Sequence, residues 1–344
     1  MKMKGLNFFR IIIILVFFAS CNSSKKNISE YVKIYGFAQG TTWHITYQSK
    51  DGENLTNQID SILKVFDFSM SAYNKQSQLT KINNNEDVKV DSFFIDIFNE
   101  SKALYDMSGK MFDPTVRPLV KAWGFGHDTQ LQKPSPQTID SILLFTGLDK
   151  VKIIDGKIVK SDQRTTLIFN ANAQGYSVDL ICQWFLEQGY SDFLVEVGGE
   201  TRAFGVNSNG TPWRVGIDAP VDGSSEIDRV IWGVSDLSDG MSLCTSGNYR
   251  NFFYTEDGRR YSHELNPVTG YPTQDSVLSV AIIASNAMRA DGLATVAMVL
   301  GVENGFKLID SLPNTEGLFF YSESNGDIKT IKTKGFVIEK IQKD

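Results

Sequence analysis

Cysteine and histidine are nearly missing, with three of each in 344 residues. Cys21 stands alone near the start and leaves Cys182 and Cys244, too few for a disulfide scaffold. Cys182 falls in the apolar run Leu-Ile-Cys-Gln-Trp-Phe and reads as core, with a single bond to Cys244 as the alternative. His44, His127 and His263 are too few and too scattered, beside so little cysteine, to read as a zinc site. Basic excess is missing as well: 34 Lys and Arg face 40 Asp and Glu, which argues against a nucleic acid partner. There is no internal repeat and no low-complexity linker. What is present, 42% hydrophobic and 22% charged residues, suffices for one large core or two modest ones and excludes a disordered or fibrous chain.

The first residues carry Lys2, Lys4 and Arg10, then an apolar run from Ile11 to Phe18, then Ala19, Ser20 and Cys21. The run is too short for a mature membrane span but has the parts of an export signal. A cysteine directly behind two small residues follows the pattern of a bacterial lipoprotein signal, with Phe18 where that pattern has an aliphatic residue. The expectation is a signal over 1–20, acylation at Cys21, a tether over 21–32 and one folded module over 33–338. Membrane contact then runs through lipid rather than a basic face. A plain secretory signal with Cys21 unmodified is the alternative.

Helical spacing predicts helices near Leu55–Phe66, Phe93–Leu104 and Ile139–Leu144, from about Gln174 to Gln188, and from about Ala287 to Leu300 with Gly301 as its stop. Alternation predicts strands at 42–48, 193–197, 202–204, 213–217, 230–234, 277–283 and 317–321. Short turns such as Gly198-Gly199 favour hairpins over crossover units. The expected class is α+β: two mixed subdomains with mainly antiparallel sheets and a site in the cleft between them.

Four stretches carry candidate chemistry. Asp291 and Thr295 are four apart on an apolar helix and offer hard oxygens to Mg²⁺ on one face; the plainer reading is a cap and a back-bonded hydroxyl. Phe169 to Asp179 puts small residues before a helix, a seat for phosphate or simply a tight turn. Gly109 to Gly126, with two prolines, sets Trp123 and Phe125 among glycines, able to sandwich a flat ring or to plug the core. His263 precedes Asn266-Pro267-Val268-Thr269-Gly270, which reads as an acid or base beside a turn, or as a structural histidine.

Taken together and in this order, these segments resemble the ApbE family of FAD:protein FMN transferases. The matching residues are Gly40-Thr41-Thr42-Trp43-His44, Met70-Ser71-Ala72-Tyr73 with Ser77 and Asn83, the Phe-Asp-Pro-Thr-Val loop at 112–116 through Trp123-Gly124-Phe125-Gly126, and Ala173-Gln174-Gly175-Tyr176 with Asp179. They continue with Val197-Gly198-Gly199-Glu200, Trp213-Arg214-Val215-Gly216-Ile217, Thr245-Ser246-Gly247, His263 to Gly270, and Ala290-Asp291 with Ala294-Thr295. The resemblance implies a T-fold-like module that binds FAD as substrate and Mg²⁺, and moves FMN to a threonine of an exported acceptor, such as a redox-driven ion-pump subunit, with AMP leaving.

It implies metal ligation by Asp291, Thr295, the Ala171 carbonyl and the stretch at Ala294. FAD contacts would fall on Ser71, Tyr73, Met111, Phe112, Asp113, Gln174 and Leu265. Asp291 and His263 would be catalytic, His263 accepting the threonine proton. The chain departs from the family pattern at Ile168, Asn172 and Gln174, where an acid, an Ile and a Lys are usual. Two other activities use the same residues: a Mg²⁺-dependent FAD pyrophosphatase, and a lipoprotein that only binds flavin, which would have no use for the Asp291 and Thr295 pair.

Overall fold

The computed structural model describes residues 30–125, 131–221, 229–249, 252–254, 260–262, 264–273 and 276–341. The signal segment, Cys21, His127 and His263 lie outside them. The strands are β1 (Glu30–Ala38), β2 (Thr41–Ser49), β3 (Val151–Ile154), β4 (Lys157–Lys160), β5 (Phe193–Val197), β6 (Glu200–Phe204), β7 (Trp213–Asp218), β8 (Ile231–Leu237), β9 (Ser242–Gly247), β10 (Phe252–Tyr254), β11 (Arg260–Ser262), β12 (Val277–Ala284), β13 (Glu316–Ser322), β14 (Ile328–Lys332) and β15 (Glu339–Lys340). The helices are α1 (Thr56–Met70), α2 (Gln78–Asn83), α3 (Ser92–Met107), α4 (Arg117–Trp123), α5 (Pro136–Leu143), α6 (Asn170–Glu187) and α7 (Ala287–Ser311).

An eight-stranded sheet in the order β1-β2-β5-β6-β9-β12-β13-β14 forms the frame, every neighbour antiparallel. Alternation explains its strands: in β2, Trp43, Ile45 and Tyr47 are buried while His44 between them is exposed. Helices α1, α6 and α7 cover one face, packing Val178, Ile181, Phe185, Leu293 and Ala297 against Ile45, Val195 and Ile282. On the other face the sheet β15-β8-β7 packs Trp213, Ile217 and Leu237 against Leu318 and Phe320. The smaller unit gathers α2, α3 and the β3–β4 hairpin around Phe94, Ile97, Leu148 and Leu167. A separate small cluster, Leu119, Trp123, Ile139 and Leu265, joins α4 and α5 to the chain near Gly270. The class and the antiparallel sheets are those expected.

Boundaries differ in instructive ways. β1 runs from Glu30, so the last residues of the expected tether are sheet; Gly36 lets the Trp43 ring lie over the strand, where a Cβ would come within 2.5 Å of it. Helix α6 starts at Asn170, because the Phe169 carbonyl already accepts from the Asn172 and Ala173 amides at 3.0 and 2.9 Å. Ala171 therefore sits in the first helical turn, not in a turn before it. Gly301 does break α7, with φ 79°, yet the helix resumes to Ser311. The proline stretch expected as an open loop contains α4, since Pro118 occupies its first turn, where no amide partner is needed.

Candidate functional site

The floor of the site is made where α6 and α7 cross beneath the sheet. Asn286 caps α7 through the Arg289 amide, and Asp179 of α6 accepts from the Ala287 and Met288 amides, each at 2.9 Å. Arg202 holds that same carboxylate at 2.7 Å. The start of α7 is thus pinned, and Asp291, one turn on, is left to face inward. It is not a cap. Its Oδ2 accepts from the Gly175 amide at 3.0 Å. That amide is the one a regular helix aims at the Ala171 carbonyl, so at Gly175 it is committed to Asp291 rather than open to a phosphate.

Thr295, a further turn along, places its hydroxyl 3.4 Å from that of Ser246 on β9. Asp291, Thr295, Ser246 and Ala171 all line one cleft of about 990 Å³. Its walls also hold Tyr73, Met111, Phe112, Asp113, Phe125, Ile168, Gln174 and Leu265. The volume suits a large flat ligand.

Most of the residues predicted from sequence therefore meet. Among the described ones, Ser71 and Ala294 do not line the cleft. Ser71 turns its hydroxyl to the Tyr73 and Asn74 amides, shaping the turn that carries Tyr73. Ala294 is wholly buried in the α7 packing, because the face of the helix that bears Asp291 and Thr295 is not its own. Trp123 is also removed from the cleft: it is buried and donates from Nε1 to the Gly270 carbonyl at 2.8 Å, plugging the small core. Phe125 lines the cleft without it.

One acid was missed. Glu200, the first residue of β6, is buried in the cleft beside Asp291, and its Oε2 has no hydrogen-bond partner. Burial, and then the nearby Glu196, push its carboxyl up to about 7, although the Cys244 thiol and Thr245 amide oppose this. Asp291 is held well above the carboxylate range by burial first and by Glu200 second. Two adjacent buried acids with hydroxyl and carbonyl oxygens nearby make a donor set for a hard cation that prefers oxygen. Only the Val-Gly-Gly-Glu stretch signalled Glu200 in the sequence.

Asp113 supplies the third perturbed acid. Its Oδ1 accepts from the Thr115 amide at 2.8 Å and the Thr115 hydroxyl at 2.7 Å. Burial outweighs these bonds and raises its carboxyl to about 6. Cys182 and Cys244 are free and buried, and burial pushes both thiols up, so neither is a nucleophile.

The model of the ApbE family matches residues 39–319. A FAD:protein FMN transferase of Vibrio cholerae serotype O1 is 32% identical over 291 residues, covering 82% of this chain and 85% of its own. That of Escherichia coli K12 is 32% identical over 321 residues, 89% of each chain. Among solved structures, the Pseudomonas stutzeri flavinyl transferase ApbE in its apo form has a TM-score of 0.80 at 32% identity, covering 89% of this chain and 95% of that one. The flavin transferase ApbE from Vibrio cholerae has a TM-score of 0.79 at 30% identity, covering 90% and 98%.

Proposed function

The chain belongs to the ApbE family, and from that premise we propose that it transfers the FMN half of FAD to a threonine hydroxyl of another exported protein, releasing AMP. The observation that carries the reading is the meeting of Asp291, Thr295 and Ala171 on the floor of a cleft walled by Tyr73, Met111, Phe112 and Phe125. Aromatic and thioether side chains supply flat, polarizable contact for an isoalloxazine or adenine ring. Asp113 and Gln174 add hydrogen-bonding groups that fix its orientation.

Mg²⁺ suits the oxygen donors, with the Asp291 carboxylate, the Thr295 hydroxyl and the Ala171 carbonyl as its holders. When bound, it would stabilise negative charge on the diphosphate. The chain's own part is positional. The Gly175 amide orients Asp291, Ser246 orients Thr295, and the apolar walls keep water from competing with the acceptor hydroxyl. His263 is assigned the proton of that hydroxyl. Residues 1–20 act as an export signal, and Cys21 carries lipid that holds the enzyme on the periplasmic side of a membrane, near an acceptor such as an ion-pump subunit.

Purified enzyme, FAD, MgCl₂ and an exported acceptor, resolved on a denaturing gel, test this. Flavin fluorescence on the acceptor with AMP release is expected. AMP without labelled acceptor would make the protein a pyrophosphatase, and FAD binding without AMP would make it a carrier. Cys21→Ser is expected to move the protein from the membrane pellet to the soluble fraction; an unchanged distribution removes the anchor.

A further inference from the structure

Four acids, Asp113, Glu200, Glu264 and Asp291, line the cleft and offer an FAD diphosphate no positive charge. Among the described lining residues, the cations are Lys75, Arg117 and Lys121. None comes from α6, which has no Lys or Arg between Asn170 and Glu187, so Gln174 offers hydrogen bonds and no charge.

Arg117 and Lys121 lie four apart on α4 and so share one face of it. The ion pairs among the described residues engage Arg164, Arg202, Arg214, Arg229 and Arg289, and Lys102, Lys110, Lys157, Lys307 and Lys329, but neither of these two. Like charges at this spacing weaken a helix until an anion sits between them. Arg117 is half-buried on the cleft wall while Lys121 is exposed at its side, one a rigid fork and the other a mobile point charge.

Resting on the FAD reading above, we infer that Arg117 and Lys121 form a phosphate clamp, holding the dinucleotide's diphosphate from the α4 wall while the metal ligands approach it from α6 and α7. The clamp supplies the positive charge that α6 lacks. Arg117 and Lys121 are positioning residues: they set FAD affinity and aim, and have no part in activating the acceptor hydroxyl.

The test is FAD binding to the full-length protein, followed by quenching of flavin fluorescence over a salt series, with KM for FAD and for acceptor measured in parallel. Arg117→Gln is expected to weaken FAD binding about tenfold, the size of one lost charge-assisted contact. The double variant with Lys121→Gln should weaken it further and flatten the salt dependence, because fewer phosphate charges are neutralised. Arg117→Lys should recover part of the loss, and Gln174→Lys placed on Arg117→Gln should recover much of it by returning a cation from the other wall. Unchanged FAD affinity and salt slope in the double variant overturn the clamp, as does a rise confined to the acceptor KM, which would make α4 a protein-docking face. Weakened binding with an unaltered salt slope and no rescue by Gln174→Lys also overturns it, since that marks mere misfolding of α4. Failure of wild-type enzyme to label any acceptor would instead remove the transferase reading, and the salt series would still report on the clamp.

Discussion

The backbone N–H of Gly175 donates to Oδ2 of Asp291 at 3.0 Å, tying α6 to α7 under the cleft. The contact exists because residue 175 has no side chain: a Cβ there would lie 2.3 Å from the Ala287 carbonyl oxygen and 2.8 Å from the Asp291 Cβ. Gly175→Ala must push the two helices apart. It is expected to lower stability by about 1–3 kcal/mol, as overpacking does, and to impair turnover more than a surface change of equal stability cost. Thermal unfolding and AMP release measured on one preparation check both.

Asp291→Asn should separate function from folding. In the cation-free protein burial and then Glu200 hold the Asp291 carboxyl well above the usual carboxylate range, and an amide of nearly the same shape adds no buried charge to the core. The melting temperature is expected to stay within a few degrees of wild type while FMN transfer in Mg²⁺ falls at least about a hundredfold. Wild-type turnover would remove Asp291 from the site.

Thr295→Val keeps the shape of the side chain and deletes the hydroxyl that lies 3.4 Å from Ser246. The MgCl₂ concentration for half-maximal activity should rise about tenfold, with much of the activity restored at high Mg²⁺, and Ser246→Ala should shift it less. A loss that no Mg²⁺ concentration relieves would point to a role for Thr295 away from the metal.

Asp113 makes the stability of the ligand-free protein depend on pH. Its carboxyl is raised from 3.8 to about 6, so between those values the folded state keeps a proton that the unfolded chain has released. Stability contributed by that proton is full below about pH 4, is lost as pH rises through about 6, and amounts to about 3 kcal/mol in all. The difference between wild-type and Asp113→Asn denaturation curves from pH 4 to 7 isolates it, and parallel curves would contradict the assignment.

The Arg202 and Asp179 pair is part-buried and anchors the start of α7. Burial raises the Asp179 carboxyl, and Arg202 is the largest influence that opposes this. Arg202→Ala should destabilise the fold by about 3 kcal/mol by stranding the acid, and Arg202→Lys by less. Urea denaturation with unchanged m-values is the measurement.

Much of this was legible in the chain because it rests on local periodicity. The strand at Phe193–Val197 alternates cleanly and appears where expected, and the Asp291 and Thr295 spacing already placed two oxygens on one face. β1 escaped because Tyr35 and Phe37 are exposed and Gly36 interrupts the pattern, and β14 because all its residues face solvent. β9, reading Ser-Leu-Cys-Thr-Ser-Gly, is too small and polar to announce a central strand. The pairing of Glu200 with Asp291 depends on tertiary packing between distant segments, which no local spacing encodes.

The two banks of the cleft differ in what holds them. Asp291 and Thr295 ride on the broad hydrophobic mass beneath the main sheet, whereas α4 is seated on the small knot of Leu119, Trp123, Ile139 and Leu265. Local opening begins where fewest apolar contacts must be broken, so this bank should loosen first. A bulky ligand can then enter and leave through that yielding side, while Asp291 and Thr295 opposite keep their places.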